Sequence, residues 1–183
     1  MRSLFSFMVI SLDGYHADRD RGLAWQTFGS EFADYSVEQL DEVDTLVFGR
    51  TTYEELAAYW TAQSGADFDT RIADRMNRLA KIVVSETLSS VSWLDSPIEL
   101  ASIDDIADIK ARPGGDLAVL GSSTLTANLL RAGLIDELRV MVSPIVLGDG
   151  LKLFEGAGTV QLERTRVREF SSGNTLLYYR PAT

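Results

Sequence analysis

The stretch DLAVLGSSTLTANLLRAG, residues 116–133, joins an apolar run to a segment with helical spacing. The apolar run at 117–120 predicts a buried strand, and the spacing of the leucines that follow predicts a helix. The junction consists of a glycine and three hydroxyl residues, Gly121, Ser122, Ser123 and Thr124. A helix begins with unpaired backbone amides, so this junction can bind an anion.

Outward from this stretch, the same alternation recurs along the chain. Apolar runs of strand length lie at 4–10, 45–48, 81–84, 117–120 and 137–142. Helically spaced segments lie between most of them, which predicts a largely parallel sheet covered by helices on both faces. Residues 160–170 and 175–180 instead flank the turn signal SSGN, which predicts an antiparallel hairpin. We therefore expect one α/β domain over residues 1–183, with three layers, a central mixed and mostly parallel sheet, and a C-terminal antiparallel hairpin.

Composition narrows the function. The chain has 17 basic and 27 acidic residues and a formal net charge of −10, which disfavours nucleic acid and anionic membranes as partners. It has no cysteine and one histidine, His16, so thiol catalysis, disulfides, cysteine zinc sites and two-histidine metal sites are excluded. The first apolar segment is interrupted by serine and lacks a cleavage pattern, so we interpret it as a strand and expect the cytoplasm as compartment.

Two further strand ends resemble the first junction. In TLVFGRTTYEEL, residues 45–56, Gly49 permits a tight turn, Arg50 can bind a phosphate, and Thr51 with Glu54 forms a capping-box pattern. The strand in KIVVSETL ends at Ser85. The carboxyl ends of parallel strands open into one crevice, so the three junctions together can hold a dinucleotide. Each junction by itself also fits plain helix capping, and both interpretations stay open.

Four segments resemble the dihydrofolate reductase superfamily, and within it most closely the reductase domain of the bifunctional riboflavin-biosynthesis deaminase-reductase, the RibD C-terminal domain family. They are SLDGYHAD (11–18), LVFGRTTYEEL (46–56), KIVVS (81–85) and LAVLGSSTLTANLLRAGLIDELRVMVSPIVLGDGLKLFEG (117–156). The resemblance covers nearly the whole chain. It implies an NADPH-dependent reductase of a small heterocyclic substrate, pterin-like or pyrimidine-like, that acts as a homodimer.

The resemblance also implies a role for individual residues. It assigns the adenosine-side phosphates to Gly49, Arg50, Thr51 and Thr52, the adenine-ribose loop to Ser85, and the pyrophosphate turn to Gly121, Ser122, Ser123, Thr124 and Leu125. Reductases of this superfamily usually carry Gly-Gly at the pyrophosphate turn. The serine at 122 could crowd a phosphate or donate to it, and the sequence leaves both alternatives open.

Hydride transfer needs a matching proton, from an acid or an ordered water. Dihydrofolate reductases use a carboxylate on the first helix, and by this resemblance we take Asp34 as the candidate acid and Glu31, one turn earlier, as the second. The segment 14–29 corresponds to the mobile loop over the nicotinamide, with Trp25 and Phe28 as substrate contacts. We expect His16 to be a solvated loop residue.

The turn SLDG contains Asp13, which we interpret first as a turn residue and alternatively as a substrate contact. The riboflavin enzyme needs basic residues near this turn, whereas here it continues as Tyr15, His16 and Ala17. Two other functions remain open, a nucleotide-binding sensor without chemistry and a structural dimer module without ligand. The apolar block LRVMVSPIVL, residues 138–147, fits either a dimer interface or a central strand.

Overall fold

A computed structural model describes residues 1–62 and 69–182. The strands are β1 (Leu4–Ser11), β2 (Tyr15–Ala17), β3 (Val43–Gly49), β4 (Ala80–Val84), β5 (Ile98–Ala101), β6 (Asp116–Leu120), β7 (Glu137–Ser143), β8 (Leu151–Lys152), β9 (Leu162–Glu169) and β10 (Thr175–Pro181). The helices are α1 (Ser30–Asp41), α2 (Arg50–Ala62), α3 (Thr70–Arg78), α4 (Ile106–Ala111) and α5 (Ser123–Arg131).

The large sheet has eight strands in the order β5-β4-β3-β6-β1-β7-β10-β9. The strands from β5 to β7 are parallel, whereas β10 runs antiparallel to both β7 and β9. The mixed sheet and the C-terminal hairpin confirm the predicted fold class. A second, two-stranded sheet pairs β2 with β8.

Side chains alternate between the two faces of the sheet, as the pleat of a strand requires. In β1, Leu4 and Met8 belong to a core that also contains leucines and isoleucines of α4 and α5. Phe5 and Phe7 belong to the opposite core, with Tyr35 of α1 and residues of α2 and α3. The sheet is therefore the middle layer of three, and its near-continuous apolar strands reflect burial on both faces.

The residues found at the helix ends are those expected from the sequence, with one exception. Helix α1 begins after Gly29 as N-cap, and α5 ends before Gly133, whose φ of 68° is the left-handed conformation expected just beyond a helix. Helix α2 begins at Arg50, directly after β3. The predicted capping box is wrong in this respect, because Thr51 lies inside the first turn and does not precede it.

The apolar block 138–147 is settled by the sheet topology. Its strand part, β7, pairs with β1 on one side and β10 on the other, so it is a central strand. None of the helices within the described ranges is long and apolar enough to cross a bilayer.

Candidate functional site

A cleft of about 700 Å³ lies over the carboxyl ends of β1, β3, β4 and β6. This volume is in the range of small-molecule sites, about 300–1,000 Å³. β3 pairs in parallel with β4 and with β6, and Gly49 lies directly beside Val84. The structure thereby brings the three predicted junctions together, and their residues line the same cleft: Gly49, Arg50, Thr51, Thr52, Ser85, Gly121, Ser122, Ser123, Thr124 and Leu125.

Two hydrogen bonds join the turn after β3 to the turn after β6. The amide of Gly49 donates to Ser122 Oγ (2.8 Å), and the amide of Ser122 donates to Thr52 Oγ1 (3.1 Å). A Cβ on Gly121 would meet Thr52 Cγ2 at 3.2 Å, and the φ of Gly121 is 72°, so this position favours glycine. The Ser122 hydroxyl therefore serves as an acceptor between the two turns, a role that neither sequence-based alternative included.

Ser122 itself has the left-handed φ of 55° and forms the N-cap of α5 without a side-chain cap bond. The amide of Thr126 donates to the carbonyl of Ser122 (2.9 Å), so the amides of 123–125 lie before the first bond of the helix. Such amides and the helix dipole attract anions. The first turn of α5 can therefore bind a pyrophosphate.

Arg50 provides the positive charge at this end of the cleft. Its side chain is half exposed, and its guanidinium lies 3.4 Å from the Glu54 carboxylate, one helical turn later. An exposed pair of this kind is worth little, so the guanidinium can exchange Glu54 for a phosphate at small cost. A glycine turn, two helix N-termini and a guanidinium together fit a dinucleotide phosphate.

The other end of the cleft is lined mainly by aromatic and aliphatic side chains. Phe28 stacks on Phe32 with ring centroids 4.1 Å apart, and Phe32 lies 6.1 Å from Phe7. All three rings line the cleft together with Leu40. Phe28 thus lies where the sequence predicts a substrate contact, and the wall suits a planar apolar ring.

Trp25 and Asp13 lie outside the cleft lining. The indole nitrogen of Trp25 donates to the carbonyl of Gly22 (3.2 Å), and its ring packs against the core on the α1 side of the sheet. Asp13 accepts hydrogen bonds from the amides of Leu147 (3.1 Å) and Gly148 (2.8 Å). The Asp13 carboxylate therefore fixes the loop that follows β7, in agreement with its interpretation as a turn residue.

The pKa of the Asp13 carboxyl agrees with this structural role. Hydrogen bonds from the Ser11 side chain and the amides of Gly148 and Leu147 outweigh desolvation and lower this pKa from 3.8 to about 2. A carboxyl that stays ionised to this degree does not release a proton near neutral pH.

The two predicted acids lie on the outer side of α1, away from the cleft. Asp34 is 59 % exposed, and its carboxylate pairs with Arg71 at 2.9 Å. Glu31 accepts a hydrogen bond from the amide of Ser171 (2.7 Å). Helical phase explains this: the cleft is lined by α1 residues at 32, 36, 39 and 40, spaced one turn apart, and 31 and 34 fall on another face. The structure therefore does not bring either carboxylate to the cleft.

The cleft also contains side chains that the sequence did not indicate. They are His16 of β2, Arg21 and Gln26 of the segment that follows it, Ser36 and Gln39 of α1, and Glu55, Glu86 and Asn128. His16 is half-buried, and burial together with the charge of Arg21 lowers its pKa below 6.5. The expectation of a solvated loop histidine is therefore corrected.

The position of His16 depends on the small sheet. A Cβ on Gly150 would lie 2.3 Å from the carbonyl oxygen of Ala17, so only glycine lets the loop before β8 approach β2 this closely. β2 then pairs with β8, and Ala17 is buried. The sequence gives no signal for this placement, because Tyr15 and His16 are both partly buried and Ala17 is buried, with no alternation between buried and exposed positions.

The fold is like that of dihydrofolate reductases, with a mixed sheet, helices on both faces and a cleft at the carboxyl ends of the parallel strands. The chain belongs to the RibD C-terminal domain family, whose model matches residues 2–176.

Individual relatives are similar to this chain over nearly its whole length. The uncharacterized protein YyaP of Bacillus subtilis (strain 168) is 24% identical over 181 residues, which cover 97% of this chain and 94% of that one. A putative riboflavin biosynthesis protein from Shewanella sp. PV-4 has a similar structure, with a TM-score of 0.75, 24% identity and 99% of each chain covered. Dihydrofolate reductase of Enterococcus faecalis, complexed with NADP(H), has a TM-score of 0.66 and 14% identity, with 99% of this chain and 97% of that one covered.

Proposed function

We propose that this protein is an NADPH-dependent reductase that transfers a hydride to a small heterocyclic substrate, pterin-like or pyrimidine-like. The observation that carries the proposal is the pair of hydrogen bonds between Gly49, Ser122 and Thr52, which sets two helix N-termini side by side on the rim of one cleft. Membership of the RibD C-terminal domain family and the fold shared with an NADP(H)-binding dihydrofolate reductase support it.

Different residues of the cleft would bind the cofactor and the substrate. The amides of 123–125 and the Arg50 guanidinium would hold the phosphates of the cofactor, which when bound supplies the hydride. The rings of Phe7, Phe28 and Phe32 would hold a planar substrate and exclude water from it.

The proton for this reaction needs a source, and the two candidate carboxylates of α1 lie outside the cleft. Among the described residues, the carboxylates that line it are Glu55 of α2 and Glu86 of the loop after β4, and these two elements also carry Arg50 and Ser85. His16 lines the cleft from β2. An imidazole gives and takes protons near neutral pH, so we propose His16 as the proton donor.

The first experiment titrates the protein with NADPH and follows tryptophan fluorescence. The second supplies a panel of dihydropterins and ribityl-pyrimidines, including 5-amino-6-(5-phosphoribosylamino)uracil, and measures loss of NADPH absorbance. Binding and turnover together support the reductase. No NADPH binding at millimolar concentration refutes it and leaves the structural dimer module, whereas tight binding without turnover favours the nucleotide sensor.

Two further proposals rest on the sequence, the first on the family resemblance and the second on the lack of a cleavage pattern after the first apolar segment. The protein acts as a homodimer, which a light-scattering mass tests, and it works in the cytoplasm, which cell fractionation tests.

A further inference from the structure

The C-terminal hairpin leaves part of one face of the large sheet uncovered. Helices α4 and α5 cover the sheet on the side of Leu4 and Met8, and of the described helices neither of these two packs closely on β9 or β10. On that side Leu177 of β10 lies directly opposite both Val140 of β7 and Val167 of β9. Leu177 is only partly buried, and Val167 is 42 % exposed. The covering layer therefore stops before it reaches the hairpin.

Apolar side chains on neighbouring strands make this surface continuous. Val142, Leu162 and Tyr179 pack against the same core and are also partly exposed. We call the surface made by these three residues together with Val167 and Leu177 the hairpin face. Single exposed apolar residues are common, whereas a contiguous group on three adjacent strands is typical of an interaction site, because its burial is favourable.

Two opposite charges lie on the hairpin face, one on each side of its centre. Arg164 of β9 lies opposite Tyr179, and Glu169 of β9 lies opposite Thr175. Neither charge has an ion-pair partner within 1–62 or 69–182. Because the register of β9 shifts next to Tyr179, each charge lies opposite a residue two positions from Leu177, which is about 7 Å along the strand. The two charges are therefore placed symmetrically about the centre of the face.

This symmetry identifies a second copy of the chain as the partner. A two-fold axis that crosses the strands at Val167 and Leu177 brings two hairpin faces together, about 10 Å apart as in packed sheets. Glu169 then lies over Arg164 of the partner subunit, and Arg164 lies over Glu169 of the partner subunit. The contact buries the apolar centre and matches opposite charges twice, which favours association of two identical faces.

A different contact, in which β9 pairs edge to edge with β9 of a second copy, is disfavoured by the charges of this strand. Its sequence carries arginine at 164, 166 and 168. An antiparallel pair centred on residue 165, 166 or 167 always places two of these arginines directly opposite each other. Like charges in such positions destabilise a strand pair and protect an edge strand from pairing. The charges therefore favour contact through the face of the hairpin and not through its edge.

We infer that two copies of this chain associate through the hairpin face, with Val167 at the two-fold axis and Glu169 paired with Arg164 of the partner subunit. The inference rests on the homodimer proposed above and specifies its surface. It does not depend on the chemistry of the cleft, which lies over the carboxyl ends of β1, β3, β4 and β6.

The first test introduces a charge at the centre of the hairpin face. Light scattering of the native chain should give the mass of a dimer, whereas Val167→Arg should give the mass of a monomer, because the new charge meets its own copy at the two-fold axis. The matched control is Leu94→Arg, since Leu94 is 62 % exposed and lies between β4 and β5, away from the hairpin. The control should keep the dimer mass, and circular dichroism should show that both variants are folded.

The second test exchanges the two charges. Arg164→Glu and Glu169→Arg each place like charges together, so each should raise the dimer Kd in sedimentation equilibrium by about tenfold or more. The double variant restores two opposite pairs, and its Kd should return to the native value. Rescue of this kind requires that the two residues meet across the interface, so a change in folding does not imitate it.

The possible failures are distinguishable. A native chain that is a monomer overturns both the homodimer and this inference. A dimer mass for Val167→Arg, or a double variant that associates no better than the single variants, overturns the hairpin face and leaves the homodimer. Failure of the native chain to bind NADPH refutes the reductase and leaves the hairpin face intact.

Discussion

The hydrogen bond between the two phosphate-side turns can be tested by replacing Ser122 with alanine and, separately, with glycine. Both variants remove the hydroxyl that accepts from the Gly49 amide at 2.8 Å. They differ in the backbone, because Ser122 has φ 55° and ψ 62°, a conformation that glycine adopts readily and alanine does not.

The expected magnitudes follow from these two terms. The lost bond is partly buried, so leaving the Gly49 amide without its acceptor should lower the free energy of unfolding by about 1 kcal/mol in both variants. Ser122→Ala keeps the left-handed strain. Ser122→Gly relieves it, a gain of about 1–2 kcal/mol that offsets the lost bond. We expect the alanine variant to be about 1 kcal/mol less stable than native, and the glycine variant to be close to native.

Urea unfolding followed by circular dichroism measures both differences, provided that the slopes against denaturant agree. Ser123→Ala is the matched control, because Ser123 lies in the helix and its hydroxyl takes no part in the link between the turns. A glycine variant less stable than the alanine variant would refute the assignment of backbone strain at Ser122. Native stability of the alanine variant would refute the hydrogen bond.

Three further results are expected at other sites. Arg50→Ala should weaken NADPH by about tenfold or more and NADH little, because a guanidinium pairs with the 2′-phosphate, whereas equal loss for both cofactors in calorimetry would contradict that role. His16→Gln should lower kcat, whereas Asp34→Asn should leave kcat unchanged. Because burial lowers the pKa of His16, kcat/KM of the native chain should fall as the pH rises through a value below 6.5. Burial lowers the pKa of Lys81 from 10.5 to about 8, so the folded chain loses this proton first and the free energy of unfolding should rise between pH 8 and 10. Lys81→Met should remove this rise in urea unfolding at stepped pH.

The sheet was predictable because its strands are short apolar runs, and burial on both faces leaves little room for polar residues. The boundary between α1 and β3 was not: the apolar spacing continues to Val43, yet the helix ends at Asp41 and Val43 begins the strand. The smaller elements have no comparable hydrophobic pattern in the sequence. Helix α3 is mostly polar, and its arginines pair with carboxylates of α1, an interaction that only the docked helices show.

The two ends of the cleft also differ in how well the sequence predicts their residues. At the phosphate end, glycine and hydroxyl residues follow directly after strands. A parallel sheet places the ends of its strands side by side regardless of the conformation of the loops. At the substrate end, the relevant face of α1 depends on how the helix is rotated against the sheet. The sequence places Asp34 by analogy, whereas docking turns Gln39 inward, and a glutamine in an amphipathic helix gives no sign that it will be buried.

The charges at the phosphate end show why the backbone matters more than side chains there. Arg50 lines the cleft together with Glu55 and Glu86, so ionised side chains alone do not make this rim positive. In a chain of net charge −10, an anion must then be attracted mainly by the amides of the first turn of α5. The position of those amides is fixed by the bonds that join Ser122 to Gly49 and Thr52, so the contacts that stabilise the two turns also create the site.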